Sequence, residues 1–364
     1  MKKILFLLFD GLGDVRYKEL GNKTPLEKAR TPNLNKLASN GYCGRLEPVG
    51  LGKEIPITDA STMLLADLGY DVRKIKPARG VLEAIGAGLK VKNGYLCART
   101  NFAIVDKNWV IKDLRACRIK KTKTLEKKIN KIKFYVPFKF KSTVGHRGVL
   151  VFYGKFSDRV PTPDPHVIGK RVRKSSKMLN DFMKAVYAAL KGEKANFLLI
   201  RGLGSRVPTV RKFPMKACAL TGLEINKGIA RLVGMNIIDT PEDVPNELSL
   251  KKKPVERALK NYDFVFVHFK NIDEPGHDDD VREKVRQIEL TDSLIGKLDL
   301  GGKLIVATSD HCTVCKKKSH TTDPIPTLIS FGPSKEKRKF GERYCTDFSM
   351  PSYKLIDYIK ILNK

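Results

Sequence analysis

Apolar residues fall into short runs and helical stripes that alternate along most of the chain. Residues 2–9 (KKILFLLF) are apolar at odd and even positions from Ile4 onward. A strand built there has two faces to bury, as in a covered parallel sheet. Downstream, Thr31 at an N-cap, Pro32 at the first helical position, Leu34, Leu37 and Ala38 on one face, and Gly41 past the end predict a short helix. Residues 55–70 read as a loop feeding a short apolar helix, MLLADLG. From 71 to 192 the pattern changes. Short β-like runs at 101–105 and 149–153 are separated by basic stretches bearing Pro and Gly, and 180–191 predicts an amphipathic helix. Alternation resumes at Asn196 with a strand NFLLIRG, a helix near 222–233, a strand at 263–269, a helix over 281–298, and strands at 303–309 and 327–332. Strand–helix alternation on both sides of a different middle predicts a doubly wound α/β core with a parallel sheet. The core spans residues 1–72 and 193–364, and a smaller α+β insert spans 73–192.

A chain of 364 residues is long enough for two such domains. Its 70 Lys+Arg against 39 Asp+Glu give a net charge of +31, a field that favours anionic partners, small or polymeric. The stretch 118–141, RIKKTKTLEKKINKIKFYVPFKFK, is basic with interleaved aromatics. It reads as a solvated surface of the insert rather than a nucleic-acid stripe, so nucleic acid is not an expected partner. The start resembles a secretory signal, but its apolar run is shorter than the roughly 7–15 residues of a signal core, and Asp10-Gly11 ends it. No run approaches the ~20 apolar residues of a membrane span, so no membrane partner is expected. Seven scattered cysteines, an odd number, suit a reducing cytoplasm. Cys312 and Cys315 form a lone CxxC without a second pair and read as incidental.

The acids and histidines carry the chemistry. Asp10 follows the first strand; Asp273 and His277 follow the strand ending at Phe269; Asp310 and His311 follow the strand ending at Ser309, and His320 comes shortly after. Groups just beyond the carboxyl ends of strands gather in one crevice of an open α/β sheet. Imidazole and carboxylate are ligands for zinc, manganese and similar ions, and a pair of such ions can clamp the attacking and leaving oxygens of a displacement at phosphorus. One ion would take Asp10, Asp310 and His311; the other would take Asp273, His277 and His320. A phosphoryl acceptor is offered by Thr58, Ser61 or Thr62 in IPITDASTMLL, at a loop-to-helix junction.

These residues resemble the alkaline phosphatase superfamily and, within it, the archaeal-type cofactor-independent phosphoglycerate mutases. The resemblance runs through the opening strand with Asp10-Gly11-Leu12-Gly13-Asp14, KTPLEKARTPNLNKLASNGYCG, RGVLEAIGAGL (79–89), ARTNFAIVD (98–106), TVGHRGVL (143–150), NFLLIRGLG and KGIARLVGM. It is closest in FVHFKNIDEPGHD and SDHCTVCKKKSHTTDPIP. The resemblance implies an alkaline-phosphatase-like core, an insert that covers the substrate, and interconversion of 3- and 2-phosphoglycerate through a phosphorylated hydroxyl. It implies two divalent ions (Mn2+, Mg2+, Co2+ or Zn2+), no need for 2,3-bisphosphoglycerate, and metal ligation by Asp10, Asp273, His277, Asp310, His311 and His320. Arg99, Asn101, Asp113, Arg115, Arg118, His146 and Arg147 are then candidates for holding phosphate and carboxylate, where forked guanidinium geometry suits both. The nucleophile segment departs from the family. Thr58-Asp59 aligns best with the family's Ser-Asp pair, which implies that Thr58 is both nucleophile and metal ligand, but it needs two extra residues before Gly69-Tyr70-Asp71. Ser61 is its rival, and a gapless reading puts Ala60 there. The family's DRRAGR is DLRACR here, with Leu114 in place of an Arg. Alternatives are a metal-dependent phosphatase or phosphodiesterase of the superfamily, or an inactive relative that binds RNA. The sequence leaves the oligomeric state open.

Overall fold

In the computed structural model, which describes residues 2–48, 60–75, 78–241, 247–334 and 338–363, the run Ile4–Phe9 is a fully buried strand inside an eight-stranded sheet. The strand order is Ser349–Pro351, Gly41–Glu47, Ile325–Ser330, Leu304–Thr308, Ile4–Phe9, Phe264–Phe269, Ala217–Thr221, Asn236–Asp239. The last five are mutually parallel, and Ile325–Ser330 alone runs against its neighbours. The sheet is therefore mixed at one side and parallel where Ile4–Phe9 lies. Apolar side chains on both faces explain the burial of all six residues of Ile4–Phe9 and of Phe264–Phe269. Each large apolar side chain buried this way contributes roughly 1.5–3 kcal/mol. Helices Pro32–Ala38, Glu247–Asn261 and Val281–Ile295 supply the partners of this core, through Leu34, Leu37, Val255, Leu259, Ile288 and Ile295.

The chain divides into two units, Met1–Lys76 with Val210–Gly222 and Val233–Lys364, and Pro77–Thr209 with Leu223–Leu232. This differs from the boundary that the sequence pattern suggests. The strand expected at 196–202 to resume the core is Phe197–Gly204, and it pairs antiparallel with Leu96–Val105 in the second unit. Ala217–Thr221 takes the place beside Phe264–Phe269 instead. A short, wholly apolar run reads the same in either sheet, so periodicity alone does not separate them. The helix Glu224–Val233 also belongs largely to the second unit. A Cβ on Gly86 would lie 1.7 Å from the Glu224 carbonyl oxygen, and one on Gly228 would lie 1.9 Å from that of Leu82. Two glycines thus let this helix seat its backbone directly on the helix Arg79–Gly86.

The second unit is built on an antiparallel sheet of Leu96–Val105, Ile111–Asp113, Phe138–Ser142, Arg147–Phe152 and Phe197–Gly204. One core cluster gathers Phe102, Phe140, Leu150, Phe152 and Phe197 with Leu125, Ile129, Phe182 and Met183 of the helices Lys123–Asn130 and Lys177–Ala189. The phenylalanines of the basic stretch belong to this core, while Tyr135 is exposed. Phe134 and Phe138 meet Phe182 edge to face at 5.3 and 4.9 Å, and Phe140 is fully buried. The three phenylalanines are taken up by packing, which leaves Tyr135 as the single exposed ring of the stretch, less than the run of aromatic platforms on which successive bases stack. No helix among the described residues is long and apolar enough to cross a membrane.

Candidate active site

Three parallel strands deliver the acids to one edge. Phe9 pairs with Phe269, and Leu8 pairs with both His268 and Thr308, so the strands end level. The chain after each strand carries Asp10, then Asp273 at the head of the helix Asp273–Asp278, then Asp310 and His311. The Asp10 amide donates to the Phe269 carbonyl at 3.0 Å. The Leu12 amide donates to Ser309 Oγ at 3.1 Å, and that hydroxyl donates to the His311 carbonyl at 2.6 Å, tying two of the loops together. His320 arrives on a small hairpin, Cys312–Val314 against Ser319–Thr321, in which it faces Thr313.

The six side chains singled out in the sequence converge. Ligand atoms of Asp10, Asp310 and His311 lie within 4.8 Å of one another, and so do those of Asp273, His311 and His320. His277 Nε2 is 3.4 Å from Asp273 Oδ1 and 3.2 Å from His320 Nε2. His277 Nδ1 faces the Lys318 carbonyl at 3.0 Å; a carbonyl only accepts, so Nδ1 carries the proton and Nε2 is left as a lone pair toward the cluster. Asp310 Oδ1, His311 Nε2 and His320 Nδ1 are buried without a hydrogen-bond partner among the described residues. Buried polar atoms are rarely left this way unless something else completes them. The donor set, three carboxylates and three imidazoles, fits divalent ions of the Mn2+, Co2+ and Zn2+ type.

Electrostatics agree with a crowded anionic centre. Burial pushes the Asp310 carboxyl up to about 6, with Asp10 and Asp273 adding to the shift and His311 opposing it. Burial is the largest influence on Asp10 and Asp273 and opposes their charge, but the Lys270 ammonium together with the neighbouring imidazoles, His268 and His311 at Asp10 and His320 and His311 at Asp273, holds both well below the usual carboxylate range. Against burial, the three carboxylates raise His311 to about 9. Lys270 and His268 went unnoticed in the sequence. Lys270 Nζ lies 2.9 Å from Asp273 Oδ2 and 3.4 Å from Asp10 Oδ2, and His268 Nε2 lies 3.2 Å from Asp10 Oδ2. The usable signal was the alternation in FVHFK, which puts a histidine inside a strand otherwise too apolar to carry one.

Most residues proposed for phosphate and carboxylate lie in the second unit around a buried carboxylate, Glu83. Arg79 Nε donates to Glu83 Oε1 at 2.8 Å, and Arg99 Nη1 lies 3.7 Å from the same oxygen. Register places Arg99 opposite Arg201, and Asn101 opposite Arg147. Burial alone would raise Glu83, but Arg99 and Arg79, with Arg147 beyond, hold it below the usual range. The same field is felt by His146, which burial and the guanidinium groups of Arg147, Arg115, Arg99 and Arg201 depress to about 3. Arg201 Nη1 donates to His166 Nδ1 at 2.5 Å, and the His166 amide donates to the buried Asp164 at 2.7 Å. Arg79, Glu83, Asp164, His166 and Arg201 are additions that the sequence reading missed. Asp113 acts on its own turn. Its oxygens accept from the Arg115 and Cys117 amides at 2.7 and 2.8 Å, bracing a left-handed run at Ala116, Cys117 and Arg118. Arg115 and Arg118 are exposed on that turn.

Thr58 lies outside the described residues, as do Asp59 and the loop before it; Ser61 falls in the helix Ala60–Asp67, with its side chain outside them too. The CxxC cysteines serve separate contacts. Cys312 Sγ lies 3.4 Å from the Asp323 carbonyl, while Cys315 Sγ donates to Asp14 Oδ2 at 3.1 Å and burial pushes its thiol up to about 12.

Comparison with known proteins adds a family. Residues 38–196 match the model for 2,3-bisphosphoglycerate-independent phosphoglycerate mutase. The enzyme of that name from Thermococcus kodakarensis is 36% identical over 99% of this chain and 96% of its own, and that from Pyrococcus abyssi is 38% identical over 94% and 92%. Among solved structures, a protein of Pyrococcus horikoshii superposes with a TM-score of 0.82 at 30% identity, over 99% of this chain and 97% of that one. The cofactor-independent phosphoglycerate mutase of Thermoplasma acidophilum gives 0.66 at 28% identity, over the whole of both chains.

Proposed function

The chain belongs to the 2,3-bisphosphoglycerate-independent phosphoglycerate mutase family, and from that membership we propose how its residues divide the work of interconverting 3- and 2-phosphoglycerate. Asp10, Asp310 and His311 would hold one divalent ion, and Asp273, His277 and His320 a second. The observation that carries this is the convergence of those six side chains with donor atoms left unpartnered in a buried place. Ions bound there supply Lewis acidity and charge neutralisation for transfer at phosphorus.

The chain's own groups do the rest. Thr58, with Ser61 as rival, takes the phosphoryl group on its hydroxyl and returns it to the other hydroxyl of glycerate. Lys270, already paired with Asp10 and Asp273, is a cation in reach of incoming phosphate charge. Arg99, Arg147 and Arg201, with Arg115 and His146, form the anion-binding surface for the substrate's charged ends, and Asn101, buried among them, is a neutral donor. Arg118 and Asp113 shape that surface through the turn they share. Exclusion of water from the phosphorylated intermediate separates a mutase from a hydrolase using the same groups.

The test is an enolase-coupled mutase assay on wild type, Thr58→Ala and Ser61→Ala, each stripped with a chelator and then repleted with Mn2+. Stripping abolishes turnover and repletion restores it. Thr58→Ala loses activity by at least about 100-fold, as expected for removal of a nucleophile, while Ser61→Ala retains it. Loss in Ser61→Ala alone reassigns the nucleophile, and full activity in both removes a hydroxyl of this loop from the mechanism. Free phosphate released from 2-phosphoglycerate as the main product would place the chain among hydrolases.

A further inference from the structure

Thr313 stands between the ligand-bearing segments and is not itself a ligand type. Its side chain is fully buried. Oγ1 donates to Asp273 Oδ1 at 2.8 Å and lies 3.1 Å from His311 Nδ1. A hydroxyl has one proton, and the carboxylate can only accept, so that proton goes to Asp273. The hydroxyl then meets His311 as an acceptor, which requires the proton on Nδ1 and turns Nε2 toward Asp10 and Asp310, 3.2 and 3.4 Å away. One side chain thus links a member of the Asp10–Asp310–His311 group to Asp273 of the other.

The surrounding backbone is shaped to admit it. A Cβ on Gly11 would lie 2.5 Å from Thr313 Oγ1, and one on Gly276 would lie 2.6 Å from its Cγ2. Gly11 follows Asp10, and Gly276 precedes His277, so both neighbouring segments give up a side chain where Thr313 enters. The Thr313 carbonyl accepts from the buried Lys284 ammonium at 2.6 Å, and Lys284 also reaches the Gly13 carbonyl and Asp14 Oδ2. Strand pairing sets His320 directly opposite Thr313.

We infer that Thr313 is a positioning residue of the two-ion centre, whose hydroxyl fixes the His311 ring with Nε2 facing the carboxylates and holds Asp273 in register with it. This rests on the metal-binding reading above. Groups that orient metal ligands from behind typically change metal affinity about 10–100-fold when removed. The experiment is calorimetric titration of Mn2+ into chelator-stripped wild type, Thr313→Val and Thr313→Ser. Val keeps the shape and removes the hydroxyl; Ser keeps the hydroxyl. The expected result is Mn2+ binding weakened about 10–100-fold in Thr313→Val and within about threefold of wild type in Thr313→Ser. Equal affinity in Thr313→Val overturns the inference, as does equal weakening in both variants. Wild type that binds no Mn2+ would instead overturn the metal reading beneath it. Should Thr313→Val fail to fold, nitrogen-15 spectra of His311 in Zn2+-loaded wild type decide the point. Metal at Nε2 with a protonated Nδ1 supports the inference; metal at Nδ1 refutes it.

Discussion

Replacing Glu83 by Gln removes a charge while keeping its shape, and the structure gives opposite signs for two consequences. Glu83 is 5% exposed and is the near counter-ion of Arg79 at 2.8 Å and Arg99 at 3.7 Å. At an effective dielectric of about 20, these separations correspond to gross attractions of roughly 6 and 4 kcal/mol. Desolvation cancels much of that, and Arg79, 28% exposed, is partly screened. Breaking a buried pair by removing one partner typically leaves a net loss of about 3 kcal/mol or more. Glu83→Gln should therefore lower Tm by roughly 6–12 °C. The depressed pKa of Glu83 also fixes the pH dependence. Its stabilisation is present above the ordinary Glu value of 4.5 and is lost as pH falls through the lower folded value, so wild type and variant converge in acid. Meanwhile the arginine group loses a competing anion. In the presence of a chelator, so that no metal contributes, inorganic phosphate should raise the Tm of Glu83→Gln more than that of wild type. The assay is thermal melting at pH 7 and pH 4 across a phosphate series. Equal Tm at pH 7, with equal phosphate dependence, refutes the reasoning that this carboxylate holds the cluster together.

Two further outcomes follow from the same charge accounting. Histidine NMR should find His146 neutral down to about pH 4 in the ligand-free protein, because its pKa is near 3 against 6.5 when unfolded; the unfolded chain then binds the extra proton, so stability from this group is full above 6.5 and declines as pH drops toward 3. A titration midpoint near 6.5 would contradict the arginine field. Lys270→Met should lower Tm by several degrees in chelator, since Asp10 and Asp273 lose their shared cation, a loss of about 3 kcal/mol for a buried pair. Mn2+ should raise the Tm of the variant more than that of wild type, and an unchanged Tm in chelator would show that Lys270 is not their counter-charge.

Features set by short-range pattern were legible in the sequence. Asp10, Asp273 and Asp310 each follow an apolar run long enough to be a buried strand, and such strand ends share an edge. His277 and His320 came with recognisable segments. What failed was everything decided by which strand lies beside which. Phe197–Gly204 opens with the composition of a core strand and buries its first four residues like one, but its partner is Leu96–Val105. That pairing brings Arg201 opposite Arg99, and no local pattern announces it. Glu83 and Arg79 sit on one helical face with i,i+4 spacing, which looks like a surface pair until the helix is laid on the sheet. Asp113 shows the converse: a motif acid whose two oxygens are occupied by the turn it helps to form.

Each unit taken alone has an unbalanced buried charge, and the two imbalances are of opposite sign. Asp10, Asp273 and Asp310 meet Lys270 and an imidazole raised toward the cationic form, and burial, with the two neighbouring carboxylates, still lifts Asp310 to about 6. Arg79, Arg99, Arg147 and Arg201, with the exposed Arg115 nearby, meet Glu83 and Asp164, and burial together with this excess keeps His146 neutral. Uncompensated buried charge is strongly unfavourable, and a fold retains it where a ligand completes the balance. Under the proposed division of residues, divalent cations would answer the first imbalance and the substrate's phosphate and carboxylate would answer the second.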